Sequence, residues 1–407
     1  MDKAWVEERI EALAGFSEPG EGVTRLAYTQ HDQAASAYII KEMQNLGLTV
    51  RRDAAGNIIG RLEGSDATAP VVATGSHIDT VPAGGKYDGV AGVVASLLAV
   101  KKLQAKGQLT HPVEVIVFAC EEAGRFGFAT IGSKVMTGSL PIHTWKKAVD
   151  KQGITLPEAL ATQGLSIENL GSAARSRDEF KCFLELHIEQ GAILETAKEK
   201  IGLVTAIAAP TRLKVTIEGQ AAHSGATPME CRRDALVSAA KIILAVREIA
   251  LEQSYCGTVG TVGMATVLPG AMNIVPGKVE LGIDIRGVDS ESILTSIQDL
   301  KDFISNLAEE EETPVAIDVL TSDRPVQLDK KMIGLLEGIC RRKKAAYRQM
   351  HSGAGHDAMH MAKLTPTAMI FIPCKEGISH NPAEYAATED ILYGVEILTE
   401  ALYEQAK

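Results

Sequence analysis

The amino-acid sequence predicts an α/β protein that carries a separate α+β unit. Fully apolar runs such as VVATGSH, ending at His77, and VEVIVFAC, ending at Cys120, are typical of buried parallel strands. The apolar segment GVAGVVASLLAVKKLQ between them indicates a helix, which gives the order strand, helix, strand. From Arg212 the pattern changes to alternating strands around one long helix, and the apolar pattern resumes near Pro325.

These changes of pattern set the expected domain boundaries. A chain of 407 residues exceeds the size, roughly 250–300 residues, at which a single core usually stops growing. We therefore expect a discontinuous catalytic domain made of residues 1–210 and 325–407. Residues 211–324 are expected to form an inserted unit of antiparallel strands and helices.

Composition excludes several classes of partner. The net charge of −11 argues against nucleic acid, because binding to phosphates requires clustered Lys and Arg. No window approaches the roughly 20 apolar residues of a membrane span, and the charged N-terminus resembles no secretory signal. The six cysteines form no close pair, which favours reduced thiols. We expect a cytoplasmic protein with a small-molecule substrate.

Five histidine and carboxylate side chains follow, or lie within, apolar strands. Each has an ordinary alternative: His77 could be a satisfied surface histidine, Asp88 could cap a helix, His187 could be a satisfied core histidine, and His380 could be a loop residue. Together they converge on the crevice where open α/β sheets bind ligands, and these donors suit zinc, manganese or cobalt. The candidate ligands are His77, Asp88, Glu122, His187 and His380.

Neighbouring acidic residues support a cation site. The Asp79 carboxylate is expected to accept the second ring N–H of His77, an arrangement that orients metal-bound imidazoles. Glu121 and Glu122 stand together after a buried strand, where paired carboxylates are costly unless a cation or a shared proton relieves them. The alternative is a solvated loop pair.

Seven long motifs lie across the chain: GSHIDTVPAGGKYDGVAG, ACEEAGRFGFATIGSK, LELHIEQG, AAHSGATPMECRRDA, NIVPGKVELGIDIR, HSGAGHDAM and MIFIPCKEGISHNPAE. They resemble the amidase/hydantoinase/carbamoylase family of dinuclear zinc amidohydrolases. This family includes N-carbamoyl-L-amino-acid hydrolases, allantoate amidohydrolases and β-ureidopropionases. The resemblance implies a zinc-exopeptidase-like catalytic domain with a mixed, largely parallel sheet, and an inserted lid and dimerisation domain.

The resemblance also implies roles at the metal site. The five candidate ligands would hold two divalent ions per subunit, with Asp88 bridging them; zinc is expected, with manganese, cobalt or nickel as alternatives. Glu121 would be the general base that moves a proton from water to the leaving nitrogen. Cys120 departs from the acidic or small residue that relatives often carry, but no ligand is lost.

Residues of the inserted unit would complete the site. By the resemblance, His223 donates a hydrogen bond to the tetrahedral intermediate, and Asn273 and Arg286 hold a substrate carboxylate. Gln190 and Gly355 would line the pocket. From the residues alone, His223 and Arg286 could equally be surface groups at strand ends. The family implies a homodimer through the inserted domain, so that the partner subunit can supply such residues.

The implied reaction is hydrolysis of a linear C–N bond in a small carboxylated ureido or carbamoyl substrate, with release of ammonia. YRQMHSGAGHDA resembles allantoate amidohydrolases, whereas AAHSGATPM is nearer to carbamoylases; allantoate is the expected substrate, with N-carbamoyl-L-amino acids or carbamoyl-β-alanine as alternatives. Dipeptidase or aminopeptidase activity is a further alternative. A non-catalytic metal-stabilised module is disfavoured because the base and all five ligands are present.

Overall fold

The computed structural model describes residues 1–407, which divide into two compact units. The larger unit contains Met1–Thr205, Leu328–Ser352 and His356–Lys407. The smaller unit contains Ala206–Gln327 and Gly353–Gly355. A mixed main sheet and a separate antiparallel sheet confirm the predicted α/β class with an α+β part. The lid and dimerisation roles of the smaller unit stay predictions.

The chain contains fifteen strands and twelve α-helices. The strands are β1 Thr49–Arg52, β2 Ile58–Leu62, β3 Val71–His77, β4 Val113–Phe118, β5 Phe180–Ile188, β6 Ile201–Ile207, β7 Ala209–Glu218, β8 Ala222–His223, β9 Val259–Leu268, β10 Ile274–Val275, β11 Lys278–Gly287, β12 Val315–Ser322, β13 Val326–Gln327, β14 Tyr347–Ser352 and β15 Thr367–Ile372. The helices are α1 Asp2–Ala14, α2 Gln30–Asn45, α3 Val90–Gln104, α4 Ile131–Met136, α5 Ile142–Trp145, α6 Leu156–Thr162, α7 Ile193–Ala197, α8 Ala235–Glu252, α9 Ser290–Glu310, α10 Lys330–Lys343, α11 Ala358–Leu364 and α12 Thr388–Ala406. None of the helices combines the length and the apolar character needed to cross a bilayer.

The main sheet has the order β1-β2-β4-β3-β5-β15-β6-β13, with β14 paired to β6. Strands β4, β3, β5 and β15 pair in parallel, as the continuous apolar sequences of β3 and β4 predict for those two strands. Helix α3 packs on β3, β4 and β5, and its outer side is covered by α1 and α12. It is therefore buried almost all round, which explains its lack of a polar face. This packing aligns the carboxyl ends of four strands at one edge.

The smaller unit is built on a four-stranded antiparallel sheet in the order β12-β7-β11-β9. Side chains of β7 and β11 alternate between buried and more exposed positions, because one face of the sheet packs on α8 and α9. Strand β9 forms one edge and is mostly exposed. A separate pair, β8 with β10, places His223 opposite Ile274.

Gly75 is essential to the pairing of β3 with β4. A Cβ atom at this position would lie 1.8 Å from the Ile116 carbonyl oxygen, which is fixed in the neighbouring strand. We expect Gly75→Ala to lower the free energy of unfolding by about 1–3 kcal/mol, measured by urea denaturation. Gly263→Ala in β9 is the control, since a Cβ there meets nothing within 4 Å. Equal stability of the two variants would contradict this account.

Candidate metal centre

The five predicted ligands meet at the carboxyl edge of the parallel strands. His77 is the last residue of β3, Glu122 follows β4, and His187 is the penultimate residue of β5. His380 lies in the loop after β15, and Asp88 precedes α3. Parallel strands direct their carboxyl ends to one side, so residues far apart in sequence come together there.

Asp88 lies at the centre of this cluster, with its two oxygens facing different partners. Its Oδ1 lies 3.6 Å from His77 Nε2 and 3.2 Å from His187 Nε2. Its Oδ2 lies 3.3 Å from His380 Nε2, and the same nitrogen lies 3.1 Å from Glu122 Oε1. Two triads of donor atoms result, and within each the atoms lie within 4.8 Å of one another.

The donor set suits divalent metal ions. Nitrogen and oxygen donors of this kind bind zinc and similar ions, and each triad supplies three of the ligands that such an ion takes. The His187 Nε2 atom is buried and has no hydrogen-bond partner, as expected for a nitrogen reserved for a cation. Its ring is fixed because Nδ1 donates to the Ile188 carbonyl at 2.9 Å.

Electrostatics of the side chains favour a bound positive charge. Burial opposes ionisation of Asp88, yet the nearby Nε2 atoms of His187, His380 and His77 hold its pKa well below the ordinary value. Hydrogen bonds to Asp88 and Glu122 raise the pKa of His380 to about 10. Burial raises the pKa of Glu121 well above its ordinary value, and the neighbouring Glu122 carboxylate adds to the effect. A divalent cation would favour the ionised form of Glu121.

The prediction that the Asp79 carboxylate accepts the second ring N–H of His77 is wrong, because the main-chain carbonyl of Asp79 accepts it instead. His77 Nδ1 donates to the Asp79 main-chain carbonyl at 3.0 Å, while the carboxylate oxygen is 3.7 Å away. The carboxylate instead accepts the backbone N–H groups of Glu121 and Glu122, at 3.1 and 3.0 Å. These N–H groups lie beyond the end of β4 and have no strand partner, so they attract the buried side chain.

Three residues of the centre adopt left-handed backbone conformations that are unusual for non-glycine residues. Cys120, Gln190 and His380 have φ values of 53°, 59° and 56°. Each lies beside, or is, a residue assigned to the site, where such strain typically concentrates. The Gln190 conformation lets its Nε2 donate to Asp88 Oδ2 at 2.7 Å, and leaves its Oε1 buried without a partner.

Several residues behind the ligands were not assigned roles from the sequence. Glu185 is fully buried and accepts hydrogen bonds from Ser76 Oγ at 2.8 Å and Ala358 N at 3.0 Å. The His356 ring packs edge-on against His187 at 4.6 Å between centroids, and its Nε2 contacts Ser352 Oγ. Donor atoms of Glu185, His187 and His356 lie within 4.8 Å of one another, so Glu185 and His356 both lie close behind a candidate ligand. Strand alternation places Glu185 on the His187 face, but no sequence signal identifies its partners.

The remaining candidates lie in the smaller unit. His223 Nδ1 accepts backbone N–H groups from Gly225 and Ala226, at 3.0 and 3.2 Å, so Nε2 carries the proton. The main-chain carbonyl of Asn273 accepts the backbone N–H of Ser224 at 3.1 Å. Arg286 binds the Asp284 carboxylate through Nε and Nη2, both at 2.8 Å. Its Nη1 donates to the Gly353 carbonyl at 3.2 Å.

Gly355 belongs to the smaller unit, together with His223, Asn273 and Arg286. Gln190 belongs to the larger unit with the five ligands and Glu121. The predicted site residues are thus divided between both units.

Buried histidines and carboxylates at the carboxyl edge of this sheet define a metal-dependent hydrolase. The chain belongs to the peptidase family M20/M25/M40, whose model matches residues 73–404. That family is metal-dependent. Hydrolysis of C–N bonds is thereby established for the chain as a class of activity, and the non-catalytic alternative is set aside.

Named relatives are amidohydrolases or ureido hydrolases. The chain is 40% identical to a ureidoglycolate hydrolase of Oryza sativa subsp. japonica, over 99% of this chain and 84% of the relative. It is 38% identical to an N-carbamoyl-L-amino-acid amidohydrolase of Paenarthrobacter aurescens, over 97% and 95%. It is 37% identical to an allantoate amidohydrolase of Escherichia coli K12, over 98% and 97%.

The fold is also similar to that of a solved structure of this kind of amidase. A crystal structure of a hydantoinase/carbamoylase family amidase from Burkholderia multivorans has a TM-score of 0.90 and 34% sequence identity, over 99% of this chain and 98% of that one. The predicted resemblance to this family is confirmed.

Gly89 tests the geometry of His77. A Cβ at Gly89 would lie 2.5 Å from the His77 Cε1 and Nε2 atoms, and its φ of +65° is itself unfavourable for other residues. We expect Gly89→Ala to displace the imidazole and weaken zinc affinity at least tenfold, measured by competition with a chelator. Gly138→Ala is the matched control, with a φ of +77° and nothing within 4 Å. Unchanged affinity in Gly89→Ala would contradict the assignment of His77.

Proposed function

We propose that the chain hydrolyses the terminal C–N bond of an α-ureido carboxylate and releases ammonia, using two divalent ions, with zinc the first expectation. One observation carries the proposal: the two oxygens of Asp88 face two donor triads, and Glu121 lies beside them. Glu121 Oε2 is 3.9 Å from His77 Nε2. In this proposal His77, His187 and Asp88 hold one ion, and Asp88, Glu122 and His380 hold the other.

Glu121 is suited to move the proton. When bound, the ions polarise the substrate carbonyl and lower the pKa of water. The buried Glu121 carboxylate takes a proton from the attacking water and passes it to the leaving nitrogen, which departs as ammonia. The Glu121 backbone N–H donates to the Asp79 carboxylate, and this hydrogen bond holds the base beside the candidate ligands.

The smaller unit offers groups for the rest of the substrate. The Nε2–H of His223 is a donor for the oxyanion, because backbone amides fix the tautomer. Three of the five N–H donors of Arg286 are used, which leaves two for a carboxylate. Asn273 and Gly355 are proposed to act beside Arg286. In the larger unit, the unpartnered Oε1 of Gln190 is an acceptor for a ureido N–H.

The substrate class follows from what the names of the relatives share. Ureidoglycolate, allantoate and N-carbamoyl-L-amino acids all carry a ureido group on the carbon that bears a carboxylate. Identities of 40%, 38% and 37% do not separate them. We propose allantoate first, on the resemblance of the YRQMHSGAGHDA segment to allantoate amidohydrolases, with the other two and N-carbamoyl-β-alanine as alternatives.

Ammonia release tests the proposal. Zinc-loaded enzyme should release ammonia from allantoate faster than from ureidoglycolate, N-carbamoyl-L-amino acids or N-carbamoyl-β-alanine. Glu121→Gln should lower turnover by about 10²–10⁴-fold while its zinc content stays unchanged. No ammonia from any of the four, with hydrolysis of a dipeptide instead, would overturn the ureido proposal in favour of a peptidase. Full activity of Glu121→Gln would refute the assigned base.

We also propose a homodimer that forms through the smaller unit. Strand β9 is an edge strand, bonded only to β11, and adjoins α8. Both elements expose large apolar side chains, and such edges invite pairing with another chain. These side chains are Leu236, Val237, Leu244 and Leu251 on α8 and Val259, Met264 and Leu268 on β9.

A charge on this edge should separate the subunits. We expect Met264→Glu to produce monomers, measured by light scattering after size exclusion. If the partner subunit supplies His223, as in the family, turnover should also fall, with zinc content unchanged. Leu320→Glu is the control because Leu320 is an exposed apolar residue on β12, the opposite edge of the same sheet. A dimeric Met264→Glu with a monomeric Leu320→Glu would place the interface on the other edge.

A further inference from the structure

Glu384 is a buried carboxylate whose side-chain hydrogen bonds all go to the two loops that carry Asp88 and His380. Its side chain is 4% exposed. Its Oε1 accepts the backbone N–H groups of Tyr87 and Asp88, at 2.8 and 2.9 Å. Its Oε2 lies 3.0 Å from the Ser379 hydroxyl, which also lies 2.8 Å from Asp88 Oδ2. Glu384 therefore contacts Asp88 at the main chain and, through Ser379, at the side chain.

These contacts join two loops that are far apart in sequence. Asp88 lies in the loop between β3 and α3, and Ser379 precedes His380 in the loop after β15. Asp88 belongs to both donor triads, while His380 belongs to one. A single carboxylate thus fixes the distance between the bridging residue and a ligand contributed by another strand.

Gly85 makes room for this carboxylate. A Cβ atom at Gly85 would lie 2.1 Å from Glu384 Oε1 and 2.4 Å from Glu384 Cβ. Its φ is not in the left-handed region, so backbone freedom does not explain the glycine. The close approach of Glu384 does, and it shows that the loop is shaped around this side chain.

We propose that Glu384 is a positioning residue: it sets the orientation of Asp88 for both cations through the two backbone N–H groups and the Ser379 hydroxyl. This inference rests on the proposed dinuclear centre. Outer hydrogen-bond partners of metal ligands typically change metal affinity by roughly 10–100-fold when removed. Glu384 acts on the shared ligand, so its loss affects both cations together.

Zinc affinity of the intact chain, measured by competition with a chromophoric chelator, tests the inference. Glu384→Ala leaves two buried N–H groups without an acceptor and should weaken binding by roughly 10–100-fold. Glu384→Gln should weaken it less, because the amide oxygen still accepts both N–H groups and the amide nitrogen can donate to Ser379. Affinity equal to wild type in Glu384→Ala, or weaker binding in Glu384→Gln than in Glu384→Ala, would overturn the inference.

Glu114→Gln is the matched control. Glu114 is another buried carboxylate of the larger unit, paired with Arg61 and Arg175 near the start of β4, away from the carboxyl edge. Its replacement should lower the thermal midpoint and leave zinc affinity unchanged. An equal loss of zinc affinity in Glu114→Gln would mean that lost stability, rather than position, weakens binding, and would overturn the inference.

A double-mutant cycle with Gly85 gives an independent test. Gly85→Ala alone should displace Glu384 and weaken zinc binding at least tenfold. Added to Glu384→Gly, which removes both the carboxylate and the Cβ that the new methyl group would meet, it should cost less than threefold beyond Glu384→Gly alone. Additive losses would overturn the inference. A wild-type chain that binds no zinc would overturn the proposed centre itself, whereas tight binding by both wild type and Glu384→Ala would overturn only the role of Glu384.

Discussion

The crowding of buried carboxylates around His77 and Asp88 is the constraint on which the rest of the structure depends. Asp79, Glu121, Glu185 and Asp357 are all buried, and each interacts electrostatically with His77. Burial raises the pKa of Asp79 to about 7 and that of Asp357 to about 8. So much negative charge in a low dielectric is unfavourable unless cations or protons offset it. Three histidines with their Nε2 atoms near Asp88 supply part of the compensation, and divalent ions suit the remainder.

Backbone N–H groups supply another part of this compensation, and they also determine the shape of the loops. Asp79 accepts two from the Glu121–Glu122 segment, and Glu384 accepts two from the segment that carries Asp88. In each case the acceptor comes from a different loop than the donors. The loops at the carboxyl edge are therefore tied to one another before any cation binds, which reduces the reorganisation that binding requires.

The sequence was sufficient for the class of fold, because that class follows from strand patterns. Strand patterns and the family resemblance together selected five candidate ligands, and the structure brings their donor atoms together. The acceptor of the His77 ring could not be predicted. Both the main-chain carbonyl and the carboxylate of Asp79 lie within a few ångströms of that ring. The carboxylate is occupied by two N–H groups from another loop, and the sequence does not show which loop lies there.

The same limit applies to Glu384 and Gly85. A glutamate after a histidine loop, or a glycine before a lysine, carries no local signal of the 2.1 Å approach that links them. Their separation in sequence is about three hundred residues, and only the pairing of β3, β5 and β15 in the main sheet brings their loops together. The left-handed backbone at Cys120 and His380 could not be predicted either, because residues other than glycine adopt it rarely and no sequence signal marks the two positions.

In the proposed function, some groups bind the features that related ureido compounds share, and other groups would contact the substituent by which they differ. This division explains how one scaffold could serve several such compounds. In the proposed function, Arg286 is fixed by Asp284, and the His223 tautomer is fixed by backbone amides. Neither depends on the third substituent of the α-carbon, which is a second ureido group in allantoate and a hydroxyl in ureidoglycolate. These preset groups favour the shared ureido and carboxylate features. Discrimination must therefore arise from whatever contacts that substituent, and a polar contact would discriminate most strongly because a missing partner leaves a buried group unpaired.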